Sequence, residues 1–283
     1  MGINKIGVIG VGQMGGGIVQ IAASAGYEIL ACDQDEAHNQ KAQAKLEKSL
    51  SKLVEKGKIE AAQKDEVLAK VKWTTQLQDF ADCPLIIEAI TEDVPAKVAL
   101  FKELDQICSA DTILATNTSS ISVTRLAGAT QRANKVIGMH FFNPVPVMKL
   151  LEVIRALQTD DETYQTILEI GEKLNKKAVT VQDSAAFVVN RLLIPFLNEA
   201  FYAVYEGVST GPDIDIAVKA GLNHPMGPFE LADFVGLDTL LAALEVMQNE
   251  FGDSKYRPCP LLRKHVESGW LGRKTGRGFY NYS

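Results

Sequence analysis

One histidine and one glutamate interrupt two neighbouring apolar runs in the middle of the chain. His140 lies in the run 136–142, and Glu152 follows twelve positions later in the run 150–154. A lone histidine in such a run is more often a core residue with both ring nitrogens satisfied. If the runs pair as strands, however, the carboxylate could hydrogen-bond the imidazole, fix its tautomer and support it as a general acid/base. The pair therefore predicts a proton-transfer site, which needs a substrate and a cofactor.

A glycine-rich turn near the N-terminus supplies a candidate cofactor site. Gly10, Gly12 and Gly15 form a G-x-G-x-x-G pattern between a predicted strand and a predicted helix, and an acid, Asp33, follows eighteen residues later. The first glycine permits a tight turn, the second lets a pyrophosphate approach and the third allows close helix packing. The helix N-terminus adds N–H donors for the anion. A functionless glycine turn is the alternative, and the order of strand, turn, helix and acid disfavours it.

Asp33 ends the next apolar run and would accept hydrogen bonds from the adenosine ribose of a dinucleotide. The residues after it, Gln34, Asp35 and Glu36, include no arginine that would bind a 2′-phosphate. Their alternative role is only to open the next helix. We therefore expect NAD as the cofactor, with NADP left open.

The elements that position these residues alternate between strand-like and helical patterns. Strand-like runs occur at 6–9, 29–32, 71–74, 85–90, 112–116, 136–141 and 179–181. A charged helical pair, interrupted at Gly57 and carrying a stripe of Leu46, Leu50, Leu53 and Val54, forms an insertion over about 35–70. This alternation predicts an α/β fold, a Rossmann-type doubly wound, mostly parallel sheet over residues 1–183.

From residue 184 to 283 the chain is predicted to be all helical, over 187–204, 213–220, 229–251 and 261–268. The first of these segments holds more apolar residues than one small helical layer needs. We expect them to pack on the first domain, on a second copy of the chain, or on both.

Three polar features of the sequence each have two interpretations. Lys41, Lys45, Lys48, Lys52 and Lys56 share one face of the inserted helix, which could bind phosphates or could simply be solvated. The segment 115–120 follows a central strand, and its small polar residues could line the crevice or only form a turn. Asn190 interrupts an apolar helix, where a buried amide bonded to backbone is the simple explanation.

Whole-chain composition excludes several classes of protein. A net charge of −6 argues against a nucleic-acid binder, and no apolar run reaches transmembrane length without glycine or charge. Four scattered cysteines form no C-x-x-C pair, so neither a metal site nor a redox dithiol is indicated. We expect reduced thiols in a cytoplasmic protein that does not bind membranes.

The chain resembles the L-3-hydroxyacyl-CoA dehydrogenases from end to end, most of all the stand-alone bacterial 3-hydroxybutyryl-CoA enzymes. The resemblance rests on the N-terminal glycine motif, Ala115-Thr-Asn-Thr-Ser-Ser120, His140-Phe-Phe-Asn-Pro144 with Glu152, Phe187-Val-Val-Asn-Arg191 and Gly272-Arg-Lys-Thr-Gly-Arg-Gly-Phe-Tyr280. It implies reversible oxidation of a short-chain (3S)-3-hydroxyacyl-CoA by NAD(P), acetoacetyl-CoA as the keto partner, a place in fatty acid or butanoate metabolism, and a homodimer through the helical domain.

The resemblance also implies a role for individual residues. His140 is similar to the family's catalytic base and Glu152 to its carboxylate partner, while Ser119 and Asn190 match contacts to the reacting oxygen. The implied dinucleotide contacts are Gly10, Gly12, Gln13, Met14, Gly15, Asp33, Glu92, Lys97, Asn117, Ser119, Asn143 and Lys274. The implied coenzyme A contacts are Ser49, Lys52 and Lys56.

Two other functions fit parts of the sequence. Dehydrogenases of free hydroxy acids also join a Rossmann domain to helices, but they use a lysine in place of a histidine and glutamate. A non-catalytic relative would be expected to have lost His140 or Glu152, and both are present.

Overall fold

The computed structural model describes residues 2–282, which separate into two compact units between Ser184 and Ala185. The first is a sheet covered by helices, and we call it the sheet unit. The second consists of helices and short connections, and we call it the helical unit.

The sheet unit contains, within its described residues, one sheet of eight strands in the order β3-β2-β1-β4-β5-β6-β7-β8. The strands are β1 Lys5–Ile9, β2 Glu28–Cys32, β3 Val71–Thr74, β4 Leu85–Glu88, β5 Ile113–Thr116, β6 Val136–Phe141, β7 Leu150–Arg155 and β8 Lys177–Gln182. Every neighbouring pair is parallel except β6 and β7, which are antiparallel. The predicted mostly parallel, doubly wound sheet is confirmed.

Helices cover both faces of the sheet because its central strands are apolar throughout, as in buried parallel sheets. The helices are α1 Gln13–Ser24, α2 Glu36–Glu55, α3 Ala61–Ala69, α4 Val94–Ile107, α5 Val123–Ala127 and α6 Asp161–Lys173. One face packs on α1, α2 and α6 in a single buried cluster. On the other face, the space at Gly7 is filled by Phe80 and that at Gly138 by Ile154 and Val123.

The inserted pair consists of α2 and α3, between β2 and β3. Asp35 begins α2 by accepting a hydrogen bond from the backbone N–H of His38. Leu46 and Leu50 are buried against the sheet unit's core, and Leu53 packs at its margin. The predicted leucine stripe therefore attaches the insertion to the sheet.

The helical unit contains α7 Val189–Tyr205, α8 Gly211–Leu222, α9 Pro228–Val235, α10 Leu237–Phe251 and α11 Pro260–Glu267. The single helix expected over 229–251 was wrong, because Gly236 has a φ of 105° and ends α9. The unit has its own core, in which Phe201, Phe229, Leu240 and Met247 are almost fully buried.

Parallel strands bring their carboxyl ends to one edge of the sheet. The register pairs Ile9 with Glu88, Glu88 with Thr116 and Thr116 with Gly138. The turns after β1, β4 and β5 therefore meet near the end of β6, which carries His140. Among residues 2–282, no helix combines the length and the apolar character that crossing a membrane requires.

Candidate active site

His140 and Glu152 face each other across the antiparallel pair β6 and β7. The two residues are direct partners in the strand register, so both side chains project from the same face. Nδ1 of His140 lies 2.7 Å from a carboxylate oxygen of Glu152, and both residues are buried, at 6% and 0% exposure. With the carboxylate as acceptor, the ring donates from Nδ1, and in that tautomer a proton can be gained only at Nε2.

The glycine turn after β1 combines two positions that the fold requires with one that it does not. Gly10 has a φ of 87°, and a Cβ on Gly15 would lie 1.8 Å from the carbonyl oxygen of Gly10. A Cβ on Gly12, which begins α1, would meet nothing within 4 Å. The space in front of Gly12 and the uncapped first turn of α1 suit an anionic ligand that approaches the backbone. The turn therefore fits the pyrophosphate of a dinucleotide.

Asp33 lies directly beside this turn. Its two carboxylate oxygens accept hydrogen bonds from the backbone N–H groups of Val11 and Gln34, each at 2.8 Å. The acid predicted to hold a ribose thus also ties the glycine turn to the end of β2. Three exposed polar residues, Gln34, Asp35 and Glu36, follow it.

Ser119 lies on the turn after β5, which is held by Glu92 from the turn after β4. One oxygen of Glu92 accepts hydrogen bonds from the backbone N–H groups of Ser119 and Ser120, at 2.8 and 3.0 Å, and from Thr118 Oγ1 at 2.5 Å. Burial raises the pKa of the Glu92 carboxyl. These hydrogen bonds and the charge of Lys97 have the larger, opposite effect, so the pKa lies below its usual range. Glu92 is therefore a stable anion that organises the Ser119 turn.

Lys97, on α4, is buried rather than exposed to the crevice. Its Nζ lies 2.5 Å from a carboxylate oxygen of Glu88 and 3.5 Å from one of Glu92. Glu88 ends β4 and was not identified from the sequence. The signal was available, because Glu88 is the one charged residue in the otherwise apolar run 85–90.

Asn117 contacts the strand that carries His140, and Gln13 contacts Asn143 in the loop that follows this strand. The side-chain oxygen of Asn117 accepts a hydrogen bond from the backbone N–H of Phe141, and Gln13 donates to the side chain of Asn143. Met14, in the first turn of α1, is half-buried at the margin of the core. These predicted dinucleotide residues therefore make contacts within the fold.

A second residue that the sequence interpretation missed is Lys176. Its buried ammonium donates to the carbonyl oxygens of Val145 and Met148, at 2.5 and 2.7 Å. Burial, together with the charge of Lys149, lowers the pKa of this amine. Lys176 therefore fixes the loop between β6 and β7, which also carries Asn143.

The predicted coenzyme A residues lie on α2. Lys52 and Lys56 are exposed, as are the other three lysines of the stripe. Ser49 is half-buried, and its hydroxyl donates to the side chain of Gln20 on α1 at 2.9 Å. The lysine face thus remains open to solvent, whereas Ser49 joins two helices.

Two predicted site residues belong to the helical unit. Asn190 is half-buried in the first turn of α7. Ala186 and Phe187, shortly before this helix, have φ values of 64° and 54°. Lys274 lies in a short 3-10 helix, Arg273–Thr275, and its ammonium contacts both carboxylate oxygens of Asp238, at 2.6 and 2.7 Å.

A glycine turn that fits a dinucleotide and a buried imidazole–carboxylate pair lie on one doubly wound sheet. Together they define a nucleotide-dependent dehydrogenase. Comparisons with known proteins narrow this class. The sequence profile of the 3-hydroxyacyl-CoA dehydrogenase NAD binding domain matches residues 5–184, and the profile of the C-terminal domain of the same enzymes matches residues 187–282. The chain belongs to the 3-hydroxyacyl-CoA dehydrogenase family.

Individual relatives match over nearly the whole chain. A probable 3-hydroxybutyryl-CoA dehydrogenase of Deinococcus radiodurans is 54% identical over 98% of this chain and 100% of its own length. The 3-hydroxybutyryl-CoA dehydrogenase of Clostridioides difficile is 50% identical over 99% of both chains. The crystal structure of (S)-3-hydroxybutyryl-CoA dehydrogenase from Ralstonia eutropha has a TM-score of 0.98 and 47% identity, covering 99% of each chain.

Proposed function

We propose that this protein is a 3-hydroxybutyryl-CoA dehydrogenase that interconverts (3S)-3-hydroxybutyryl-CoA and acetoacetyl-CoA with NAD. The observation that carries the proposal is the 2.7 Å contact between buried His140 and buried Glu152, on the sheet that also carries the glycine turn. The names of the relatives supply the substrate. Free hydroxy-acid dehydrogenases use a lysine in place of a histidine and a glutamate, and this chain has the paired His140 and Glu152.

His140 is the general acid/base. In oxidation, its Nε2 takes the proton of the 3-hydroxyl group, and in reduction it returns that proton to the oxygen. Glu152 keeps the ring in the tautomer with Nδ1 protonated and stabilises the imidazolium after proton transfer. The chemistry that bound NAD supplies is hydride acceptance at the nicotinamide.

Ser119 and Asn190 are proposed to hold the reacting oxygen as it changes between hydroxyl and carbonyl. A donor at this oxygen stabilises the charge that develops in the transition state. Glu92 fixes the Ser119 turn through two backbone N–H groups. The role of Asn190 is proposed from the family resemblance.

NAD is preferred over NADP because acids surround the position of the ribose. Asp33 would bind the adenosine ribose, and the exposed Asp35 and Glu36 would repel a 2′-phosphate. We propose that the remaining dinucleotide contacts come from Gly10, Gly12, Gln13, Met14, Gly15, Glu92, Lys97, Asn117, Ser119, Asn143 and Lys274.

Coenzyme A is proposed to bind along α2. The exposed ammonium groups of Lys52 and Lys56 suit the nucleotide phosphates of coenzyme A in a chain whose net charge is −6. Ser49 lies on the same helix and would complete this site.

A homodimer and a cytoplasmic location complete the proposal. Leu192 and Val208 of the helical unit are 71% and 73% exposed, and we propose that they belong to the dimer interface that the family resemblance implies for this unit. All four cysteines are buried free thiols, as expected in a reducing compartment. A disulfide in the protein isolated from cells under thiol-blocking conditions would contradict that location.

A steady-state assay of acetoacetyl-CoA reduction tests the function. We expect turnover with NADH and a value of kcat/KM at least about tenfold lower with NADPH, because the acids after Asp33 disfavour the 2′-phosphate. Longer 3-ketoacyl-CoAs, measured in parallel, define the chain-length range. No turnover with any of these substrates would refute the proposal, and equal use of NADPH would refute the cofactor preference.

A further inference from the structure

Lys176 carries a buried positive charge that no acid compensates. Its side chain is 9% exposed, and within residues 2–282 it forms no ion pair. Its Nζ instead donates to the carbonyl oxygens of Val145 and Met148, at 2.5 and 2.7 Å. Burial and the charge of Lys149 both lower the pKa of this amine. Because removing an uncompensated charge from water costs free energy, its retention indicates a role beyond stability.

The backbone of Lys176 is fixed on both sides. Its N–H donates to the carbonyl oxygen of Gly171 in α6, at 2.9 Å. The next residue, Lys177, donates its N–H to the carbonyl oxygen of Lys149 at 2.7 Å, where β8 joins β7. The ammonium group therefore extends from a rigid base, and the element that it holds in place is the β6–β7 loop, residues 142–149.

The same loop packs against α1. Val145 is 2% exposed, and a Cβ on Gly17 of α1 would lie 2.7 Å from the Cβ of Val145. In the first turn of α1, Gln13 donates a hydrogen bond to the side chain of Asn143 at 3.0 Å. Interiors packed this closely transmit a displacement from one element to the next. The β6–β7 loop is therefore held by α1 and by the ammonium group of Lys176.

The β6–β7 loop connects the two parts of the proposed chemistry. It joins β6, which carries His140, to β7, which carries Glu152. The helix on which it packs, α1, begins in the glycine turn that fits a pyrophosphate. The position of the loop thus influences how the imidazole lies relative to a dinucleotide bound at this turn. A displacement of about 1 Å between reacting groups can slow a reaction by about 100-fold.

We propose that Lys176 is a positioning residue, which holds the β6–β7 loop against α1 and thereby aligns His140 with the bound dinucleotide. Lys176 acts through the two carbonyl oxygens that it binds. The inference rests on the proposed dehydrogenase function, because its consequence is the alignment of the acid/base with the hydride acceptor.

Two lysine variants test this role. Lys176→Met removes the ammonium group, and Lys173→Met, at an exposed lysine of α6, is the charge-matched control. We expect Lys176→Met to lower kcat for acetoacetyl-CoA reduction by about 10- to 100-fold, because the loop moves away from α1. The dissociation constant of NADH should change by less than about threefold, since the glycine turn and Asp33 are unaltered. Lys173→Met should stay within about twofold of wild type.

The melting temperature separates positioning from general stability. A purely structural role predicts that Lys176→Met melts at a lower temperature, while the fraction that remains folded keeps the wild-type kcat. Replacing a buried charge by an apolar side chain is often neutral for stability. A positioning role therefore predicts a lower kcat in a sample that is fully folded at the assay temperature.

Gly17→Ala displaces the same loop from the side of α1. Its added methyl group would overlap Val145, whereas in Gly16→Ala, the control, the Cβ would meet only the oxygen of Val11 at 3.5 Å. We expect Gly17→Ala to lower kcat by at least about fivefold and also to lower the melting temperature. Both effects should be smaller when Lys176→Met is already present, because a released loop can move away from the methyl group.

Three results would overturn the inference. The first is a wild-type kcat in folded Lys176→Met. The second is a higher KM with an unchanged kcat, which would indicate a direct ligand contact of Lys176. The third is additivity of Lys176→Met and Gly17→Ala, which would show that the two residues do not act through one loop.

If Lys176→Met does not fold, Gly17→Ala decides alone. A lower kcat with retained NADH binding supports the inference, and a wild-type kcat contradicts it. The coupling in melting temperature is measurable without turnover. Absence of turnover in the wild type would therefore refute the proposed function, while the coupled melting temperatures would still report whether Lys176 and α1 hold the same loop.

Discussion

At the scale of single residues, the identity of His140 matters less than the partner it meets. A histidine in an apolar strand is ordinary, but a buried imidazole bonded at 2.7 Å to a carboxylate that is itself 0% exposed is not. Such a carboxylate stabilises the imidazolium only if the ring gains a proton during turnover. The geometry therefore favours a residue that exchanges protons over one that only fills the core.

Replacing either member of this pair should remove proton transfer and leave the fold intact. We expect His140→Gln to lower kcat for acetoacetyl-CoA reduction by about 10²- to 10⁴-fold, because positioned general acid catalysis contributes that factor. Glu152→Gln keeps the size of the side chain and removes its charge, and kcat of this variant should fall by a comparable factor. Steady-state rates, with NADH binding followed by fluorescence, check both variants.

His224→Gln, at an exposed histidine of the helical unit, is the control and should keep wild-type rates. A loss below tenfold in His140→Gln would contradict its role. An unchanged rate and pH profile in Glu152→Gln would contradict the role of the pair.

At the scale of elements, the turn between β1 and α1 contains two glycines that the fold requires and one, Gly12, that we propose serves the dinucleotide. Gly15 lets α1 lie against the backbone of Gly10, as the motif predicted. A Cβ added to Gly12 would meet no other atom of the protein within 4 Å. Asp33 adds a contact that the motif does not reveal, its hydrogen bond from Val11.

Three alanine variants should therefore behave differently. Gly12→Ala should weaken NADH binding by at least about tenfold with an unchanged melting temperature, because a methyl group blocks the close approach of the pyrophosphate. Gly15→Ala should destabilise the protein by at least about 1–3 kcal/mol, since its Cβ would overlap the oxygen of Gly10. Thermal denaturation and NADH fluorescence titration check both expectations.

Gly16→Ala is the stability control, because its Cβ would meet only the oxygen of Val11 at 3.5 Å. A helical alanine at that position should be neutral or slightly stabilising. Tight NADH binding by Gly12→Ala would show that the open space at this glycine is not the pyrophosphate site.

At the scale of the whole molecule, the exposed apolar side chains of the helical unit are the surface through which we propose that two chains associate. Leu192, Val208 and Ile216 are each at least 60% exposed, although the unit has a well-packed core of its own. Side chains of this kind are usually covered in obligate homodimers. The sequence indicated that this unit has more apolar residues than one helical layer needs. The structure identifies which of them remain exposed in a single chain.

We expect the protein to have about twice the mass of the 30.8 kDa chain in solution. Leu192→Glu and Val208→Glu should shift it toward monomer, because an unpaired charge is costly in an apolar interface. Leu157→Glu, at a leucine 88% exposed in the sheet unit, is the matched control and should leave the dimer intact. Light scattering after size-exclusion chromatography measures the mass. A dimer that survives both helical-unit variants would contradict the proposed interface.

The sequence by itself determined the class of fold and the identity of most candidate residues. Periodicity of two and of 3.6 is local, so it revealed the strands, the inserted helices and the glycine turn ending at Asp33. The helix over 229–251 was the exception, because periodicity continues across Gly236 while its backbone does not. The interruption of two apolar runs identified His140 and Glu152, whereas Ser119 was implied only by the family resemblance.

Only the tertiary structure decided which of these residues meet. The antiparallel register of β6 and β7 places Glu152 opposite His140, and a shift of one residue would turn the two side chains to opposite faces. Glu88 and Lys97 are partners because the end of β4 lies beside α4. Lys176 meets the carbonyl oxygen of Val145 because the turn before β8 lies beside the loop after His140. These contacts are long-range, and their energies depend on burial, which no local pattern specifies.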